Sequence, residues 1–281
     1  MAIRIITDSA SDITQAEAKA WGIQVMPLRT IFGQEEFLDG VTIDHQQFYQ
    51  RLVESDVLPT TSQLTPFQYE EVFREAADAG DQVVCITLSS KLSGSFQSAS
   101  IAAEGLPVVL VDSLNATVGQ RIQVELAVRL RDAGKSAQEI GEALMEAQSK
   151  VHLIALLDTL EYLKKGGRIS PMAAVAGSLL SIKPVISIEN GEVAVLGKAR
   201  GSKNGNNMLI NLVGESGGID FSLPFGLAYS GLSDVLLQKY IADSTRLYES
   251  YTGQLPISVI GSTIGTHAGP GAVALAFYSM C

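Results

Sequence analysis

Apolar positions along the chain fall into two rhythms. Short runs that are wholly or alternately apolar are followed by stretches in which apolar residues recur at three- and four-residue spacing. The first run, Ile3 to Thr7, closes on the polar turn "TDSASD". Helical spacing then takes over from Ile13 to Ala20, with Thr14 as N-cap and Glu17 three residues on, a capping box. "GIQVMPL" repeats the strand pattern with Pro27 near an edge, and "FGQEEFLDGVTID" predicts a hairpin or an irregular excursion. "DHQQFYQRLVES" predicts a helix capped by Asp44, with Phe48, Leu52 and Val53 on one face. "PTTSQLTP" reads as a loop, and "PFQYEEVFREAADAG" as an amphipathic helix with Pro66 in its first turn and Gly80 just past its end. "QVVCITL" and "LPVVLVDS" are strands around the helix "SGSFQSASIAAE", and two further helices run from Thr117 towards Val151. Strand, loop and helix in this alternation predict a doubly wound, mostly parallel sheet.

Beyond residue 150 the grammar changes. "HLIALLDT" is a strand, "LEYLKKGG" a short helix ended by a glycine pair, and "SPMAAVAGSLL" a helix of small residues. "KPVISIENGEVAVLGKAR" is a hairpin around Asn190–Gly191. "GLAYS" and "ISVIGST" are strands separated by the helix "SDVLLQKYIADSTRLYES". In "GTHAGPGAVALAFY" a Gly-Pro-Gly turn is expected to open an apolar helix. The fold class is therefore α/β in two domains. Residues 1–150 form a parallel α/β domain, and residues 151–281 an α+β domain with a mixed or antiparallel sheet. A length of 281 residues agrees, since single cores stop growing at about 250–300 residues.

Composition narrows the function classes. Hydrophobic residues make up 46 % and charged residues 18 %, as in a globular chain. The net charge of −10 repels a phosphate backbone, which argues against nucleic acid as a partner. No uncharged apolar run reaches the roughly 18 residues of a membrane helix, and "MAIRIITDSA" is too short and polar for a signal peptide. Cys85 lies in an apolar strand and Cys281 ends the chain, so neither a disulfide nor a metal site is expected. The expectation is a cytoplasmic protein without integral membrane segment, metal or cofactor.

Three hydroxyl-rich stretches fall where strands hand over to helices: "TDSASD", "TTSQ" and "SSKLSGS". Ligands of doubly wound sheets bind at such carboxyl ends, and free helix N–H groups with hydroxyls suit an anion. Ser and Thr are also ordinary helix caps, so any one stretch alone reads as a cap. Three together favour a site. Ser93 and Ser95 straddle Gly94, which lets a ligand approach the backbone. Walker and dinucleotide patterns are absent, so a carboxylate is as good a candidate anion as a phosphate. Arg168, in "LKKGGRIS", could clamp such a group with two hydrogen bonds. Ser93 lacks the nucleophile-elbow pattern, yet a Ser93–His267 pair could do acyl chemistry if an acid oriented the imidazole. Lys198, Arg200 and Lys203 form a second basic island, suited to a protein contact.

"DSASDI", "TSQ" (Thr61 to Gln63), "LSGSFQSA", "LEYLKKGGRIS", "IKP" and "GTHAGPGA" occur in this order, and together they resemble the DegV family of bacterial fatty-acid-binding proteins. The resemblance covers essentially the whole chain. It implies a long-chain fatty acid held between two domains, its carboxylate on Thr61 and Ser93, with Ser62, Gly94, Arg168 and His267 close by. It also implies a non-catalytic role. Some members are binding subunits that present the fatty acid to a separate ATP-dependent kinase subunit. The chain departs from the family pattern at Leu64 (usually Pro), at Phe96 (usually Tyr) and in "RGSKNG", a diluted form of the basic stretch that makes Arg200 and Lys203 candidates for kinase docking. Burying a 16-carbon tail could contribute roughly 10 kcal/mol before ordering costs, so the tail would carry most of the affinity and the hydroxyls would set its register. An acyl hydrolase or transferase built on Ser93 and His267, or a protein-interaction module with an incidental pocket, are the competing readings.

Overall fold

The computed structural model describes residues 2–170 and 182–280. Most of the small-residue segment "SPMAAVAGSLL", expected as a helix, and Cys281 lie outside them.

Four strands form an all-parallel sheet in the order β2-β1-β6-β7: β1 Ile3–Asp8, β2 Gln24–Met26, β6 Gln82–Thr87 and β7 Val108–Asp112. Alternate residues of these strands enter different cores. Ile5, Val84 and Ile86 pack with α1 (Gln15–Trp21), α5 (Thr117–Asp132) and α6 (Ala137–Ala147). Ile6, Val83 and Cys85 face α3 (Pro66–Asp78) and α4 (Ser95–Ala102) instead. The chain winds one way from β1 to β2 and the other way through β6 to β7. The reversal point therefore lies between β1 and β6, where such sheets open a crevice.

A six-stranded mixed sheet follows, in the order β10-β9-β8-β13-β11-β12: β8 Val151–Leu156, β9 Ile182–Glu189, β10 Glu192–Arg200, β11 Gly226–Tyr229, β12 Ile257–Val259 and β13 Val273–Tyr278. All its pairings are antiparallel except β11 with β12. The β9–β10 hairpin turns at Asn190–Gly191, both at positive φ, as its sequence predicts. One face of the sheet (Ile154, Leu156, Leu275, Phe277) packs on α8 (Gly201–Glu215) and α9 (Val235–Asp243). The other face (Leu153, Ala155, Ala274, Ala276) joins the core that contains α5. Helix α5 thus lies between the two sheets and is buried along most of its length.

The structure corrects three local expectations and adds one helix that they did not include. "GPGAVALAFY" contains β13, a central strand, and no helix; it is buried on both faces, so its apolar run shows no alternation. "PTTSQLTP" includes β5 (Thr60–Ser62), which pairs with β3 (Arg29–Phe32). With β4 (Glu35–Leu38), these two strands complete a small antiparallel sheet that the sequence showed only as a possible hairpin. Val53 on α2 (His45–Glu54) is exposed, while Phe48 and Leu52 are buried. "GSKNGNNMLINLVGE" is the helix α8, masked in the sequence by its polar first turns. Its Gly205 is required because a Cβ there would come within 2.5 Å of the Leu156 side chain.

Candidate functional site

A cavity of about 300 Å³ lies between the carboxyl end of the parallel sheet and the inner face of the mixed sheet. Its apolar wall comes from side chains two residues apart on neighbouring strands: Leu153 and Ala155, Ile186 and Ile188, Ala272 and Ala274. Register aligns them, with Ala155 opposite both Ile186 and Ala274. The alanines on β8 and β13 leave the room that larger side chains would fill. Among the described residues no acidic side chain lines the cavity, and Arg168 is the one charged residue on its wall.

The polar part of the wall converges from four segments. β5 brings Thr61 and Ser62, the loop after β6 brings Ser93, the turn after α7 (Glu161–Lys165) brings Arg168, and α10 (Ser262–Ala268) brings His267. The Thr61 hydroxyl lies 2.9 Å from His267 Nε2. Ser93 Oγ lies 3.1 Å from Ser95 Oγ and accepts the Ser95 N–H at the start of α4. Arg168 is oriented by two carbonyls: its Nε donates to Leu92 O at 3.2 Å and its Nη1 to Gly166 O at 2.7 Å. Two donations leave most of the guanidinium donors free, and no carboxylate among the described residues pairs with it.

Burial, with the Arg168 charge adding to it, pushes the His267 imidazole down from 6.5 to about 4, so it is neutral near pH 7. Its Nδ1 is buried without a partner and faces Gly166, where a Cβ would sit only 2.2 Å away. When Nε2 carries the proton and donates to Thr61, the threonine hydroxyl is left to donate into the cavity. His267 then positions Thr61, and the positive charge in the site is that of Arg168.

Gly94 caps α4 and does not itself line the cavity; its bare Cα accommodates Gln63, whose Oε1 would be 2.2 Å from a Cβ. Gln63 Nε2 in turn donates to Ser98 Oγ, tying β5 to α4. "TDSASD", expected to offer ligand hydroxyls, braces the scaffold instead. Asp8 accepts the Leu88 and Ala10 N–H groups and the Gln120 amide, and burial raises its carboxyl to about 6. Ser9 donates to Asp39, which also accepts the Ser262 and Thr263 N–H groups and so fixes the start of α10. The other end of that helix carries His267. Arg200 and Lys203 are exposed at the end of the edge strand β10 and the start of α8, outside the cavity. Ser93 and His267 form no hydrogen bond to each other, and among the described residues no acid orients the imidazole, so these residues do not assemble the arrangement required for acyl chemistry. Sequence reasoning missed Thr117 and Thr263 on the cavity wall; the i, i+4 spacing of Thr263 and His267 was the available signal.

Comparison with known proteins places this geometry in context. Residues 2–280 match a family model described as "Uncharacterised protein, DegV family". A DegV domain-containing protein of Caldanaerobacter subterraneus subsp. tengcongensis is 35 % identical over 279 residues, with 98 % of each chain covered. Among solved structures, a DegV family protein from Thermus thermophilus described by its fatty acid binding superposes with a TM-score of 0.86 at 30 % identity, covering all of both chains. A stearic acid-binding protein from Eubacterium ventriosum gives a TM-score of 0.85 at 26 % identity, covering 98 % of this chain and 97 % of that one.

Proposed function

The chain belongs to the DegV family, and from that premise we propose that it binds a long-chain fatty acid without transforming it. The observation that carries this reading is the distribution of polarity in the cavity. One charged side chain, Arg168, has spare donors and, among the described residues, no carboxylate partner, and it stands with the Thr61 and Ser93 hydroxyls on a mostly apolar wall whose described residues include no acid. A carboxylate with an alkyl tail is complementary to both parts. In this reading Thr61, Ser93 and Arg168 take the carboxylate, His267 and Gln63 hold Thr61 and the α4 loop in place, and the sheet face from β8, β9 and β13 takes the tail. The residues before about 150 supply most of the carboxylate contacts, and those after it supply Arg168, His267 and most of the tail wall.

A carrier of this kind presents its ligand to another protein. Transfer to an ATP-dependent kinase subunit through the Arg200–Lys203 surface is the partnership that the family resemblance implies. Titration calorimetry with hexadecanoate and hexadecanol tests the binding reading. The acid is expected to bind at least tenfold more tightly, and Ser93→Ala to remove about 1–3 kcal/mol of that preference. Equal affinities for acid and alcohol would contradict a carboxylate site.

A further inference from the structure

Thr61 is tied to α10 twice. Its own hydroxyl meets His267 Nε2 near the end of that helix. The second tie runs through its neighbour in the small sheet. Thr30 on β3 stands directly opposite Thr61 on β5, so the two side chains project from one face with their Cβ atoms about 5 Å apart. Thr30 is fully buried and does not line the cavity. Its Oγ1 lies 2.8 Å from Ser262 Oγ, at the first residue of α10. The helix is thus bonded to both threonines of one cross-strand pair, to Thr30 at its start and to Thr61 near its end.

Counting protons gives the Thr30 contact a direction. Asp39 accepts the Ser262 N–H and the Ser262 hydroxyl on Oδ1, and the Thr263 N–H and the Ser9 hydroxyl on Oδ2. The single hydroxyl proton of Ser262 is therefore committed to Asp39, and Ser262 Oγ accepts from Thr30. Thr30, Ser262 and Asp39 form a buried chain in which each hydroxyl donates to the next oxygen. The opposite side of α10 is pressed on α2. A Cβ on Gly265 would come within 2.6 Å of both Phe48 and Tyr49, and the Tyr49 hydroxyl donates to Ile260 O at 3.0 Å. Between these two supports, Thr30 supplies a side-chain bond that sets the spacing of α10 from β3, and so from β5.

Resting on the fatty-acid reading above, we propose that Thr30 is a positioning residue for carboxylate binding. It touches no ligand. Through Ser262 it holds α10 at the distance from β5 at which His267 Nε2 reaches Thr61, and so keeps the Thr61 hydroxyl free to donate to the carboxylate.

The test is a double-mutant cycle read by hexadecanoate titrations, with hexadecanol as the uncharged control. Thr30→Val keeps the shape of the side chain and removes its hydroxyl. It should weaken hexadecanoate binding about tenfold and hexadecanol binding less than about threefold, and Thr30→Ser should restore hexadecanoate to within about threefold of wild type. In a Thr61→Val background, Thr30→Val should cost less than about twofold, because the hydroxyl that it positions is gone. Ser262→Ala breaks the same bond from its other side and should act as Thr30→Val does, which keeps the test available if either variant fails to fold. Equal losses for acid and alcohol, or a loss that persists in full in the Thr61→Val background, would make Thr30 a packing residue only and refute the proposal. Unchanged hexadecanoate affinity in Thr30→Val refutes it equally. Failure of wild-type protein to bind hexadecanoate would overturn the fatty-acid reading, and this inference with it.

Discussion

Replacing Arg168 by Met keeps the apolar stem and removes the charge. The guanidinium is half-buried, held by Leu92 O and Gly166 O, and free of carboxylate partners among the described residues, so a bound carboxylate would be its counter-charge. A hydrogen bond to a charged group contributes about 1.5–3 kcal/mol, which predicts a loss of roughly 10- to 150-fold in affinity for hexadecanoate. Hexadecanol lacks the charge and should lose less than threefold. Arg168→Lys should fall between, because an ammonium cannot reproduce a planar fork that meets two carbonyls and a carboxylate together. Displacement of a fluorescent fatty acid at pH 7.5 reads all these values. Equal losses for acid and alcohol would mean that Arg168 acts by holding the Leu92–Ser93 loop, and unchanged binding of the acid would refute its role as the anchor.

Three further outcomes follow from the same geometry. The His267 shift from 6.5 to about 4 means that the unfolded chain takes up a proton below pH 6.5 that the folded one refuses until about pH 4; the stability held above pH 6.5 is therefore lost as pH falls through this window, by roughly 3 kcal/mol. Asp8 and Asp12, with raised values, act in the opposite sense, so the effect is read as the difference between wild type and His267→Gln in urea melts at pH 7 and pH 4; a difference that does not change with pH would refute it. Gly166→Ala keeps an acceptable backbone at φ −75° but drives a methyl into His267, and should weaken hexadecanoate binding about tenfold by breaking the bond to Thr61; an unchanged dissociation constant would show that this bond does not position the site. Arg200→Ala and Lys203→Ala should leave hexadecanoate affinity within twofold, and a larger change would tie that surface to the cavity.

Much of this was legible in the chain. The capping box at Thr14, the cap at Asp44, Pro66 at a helix start and the Asn190–Gly191 turn are local signals, and each marks an element that the structure contains. The parallel and mixed sheets follow from the change of rhythm near residue 150. What was hidden depends on partners distant in sequence. β5 is a strand only because β3 offers it an edge, and β13 reads as a helix until β8 and β11 pair with its edges and the layers around α5 on one side and α8 and α9 on the other bury its faces. Thr61, Ser93, Arg168 and His267 were each visible as residues, and they do line one cavity. The bond from His267 to Thr61 rather than Ser93 was not visible, nor was the bracing role of Asp8 and Asp39, because both arise from packing between elements up to 224 positions apart.

The central claim is that the cavity holds a long-chain fatty acid. Extraction of the purified protein with organic solvent, followed by mass spectrometry of the extract, tests it most directly, with the extraction repeated after incubation in a fatty-acid mixture. The account predicts about one long-chain fatty acid per protein chain, unmodified, with less recovered from Arg168→Met. An extract without fatty acid, before and after incubation, would contradict it.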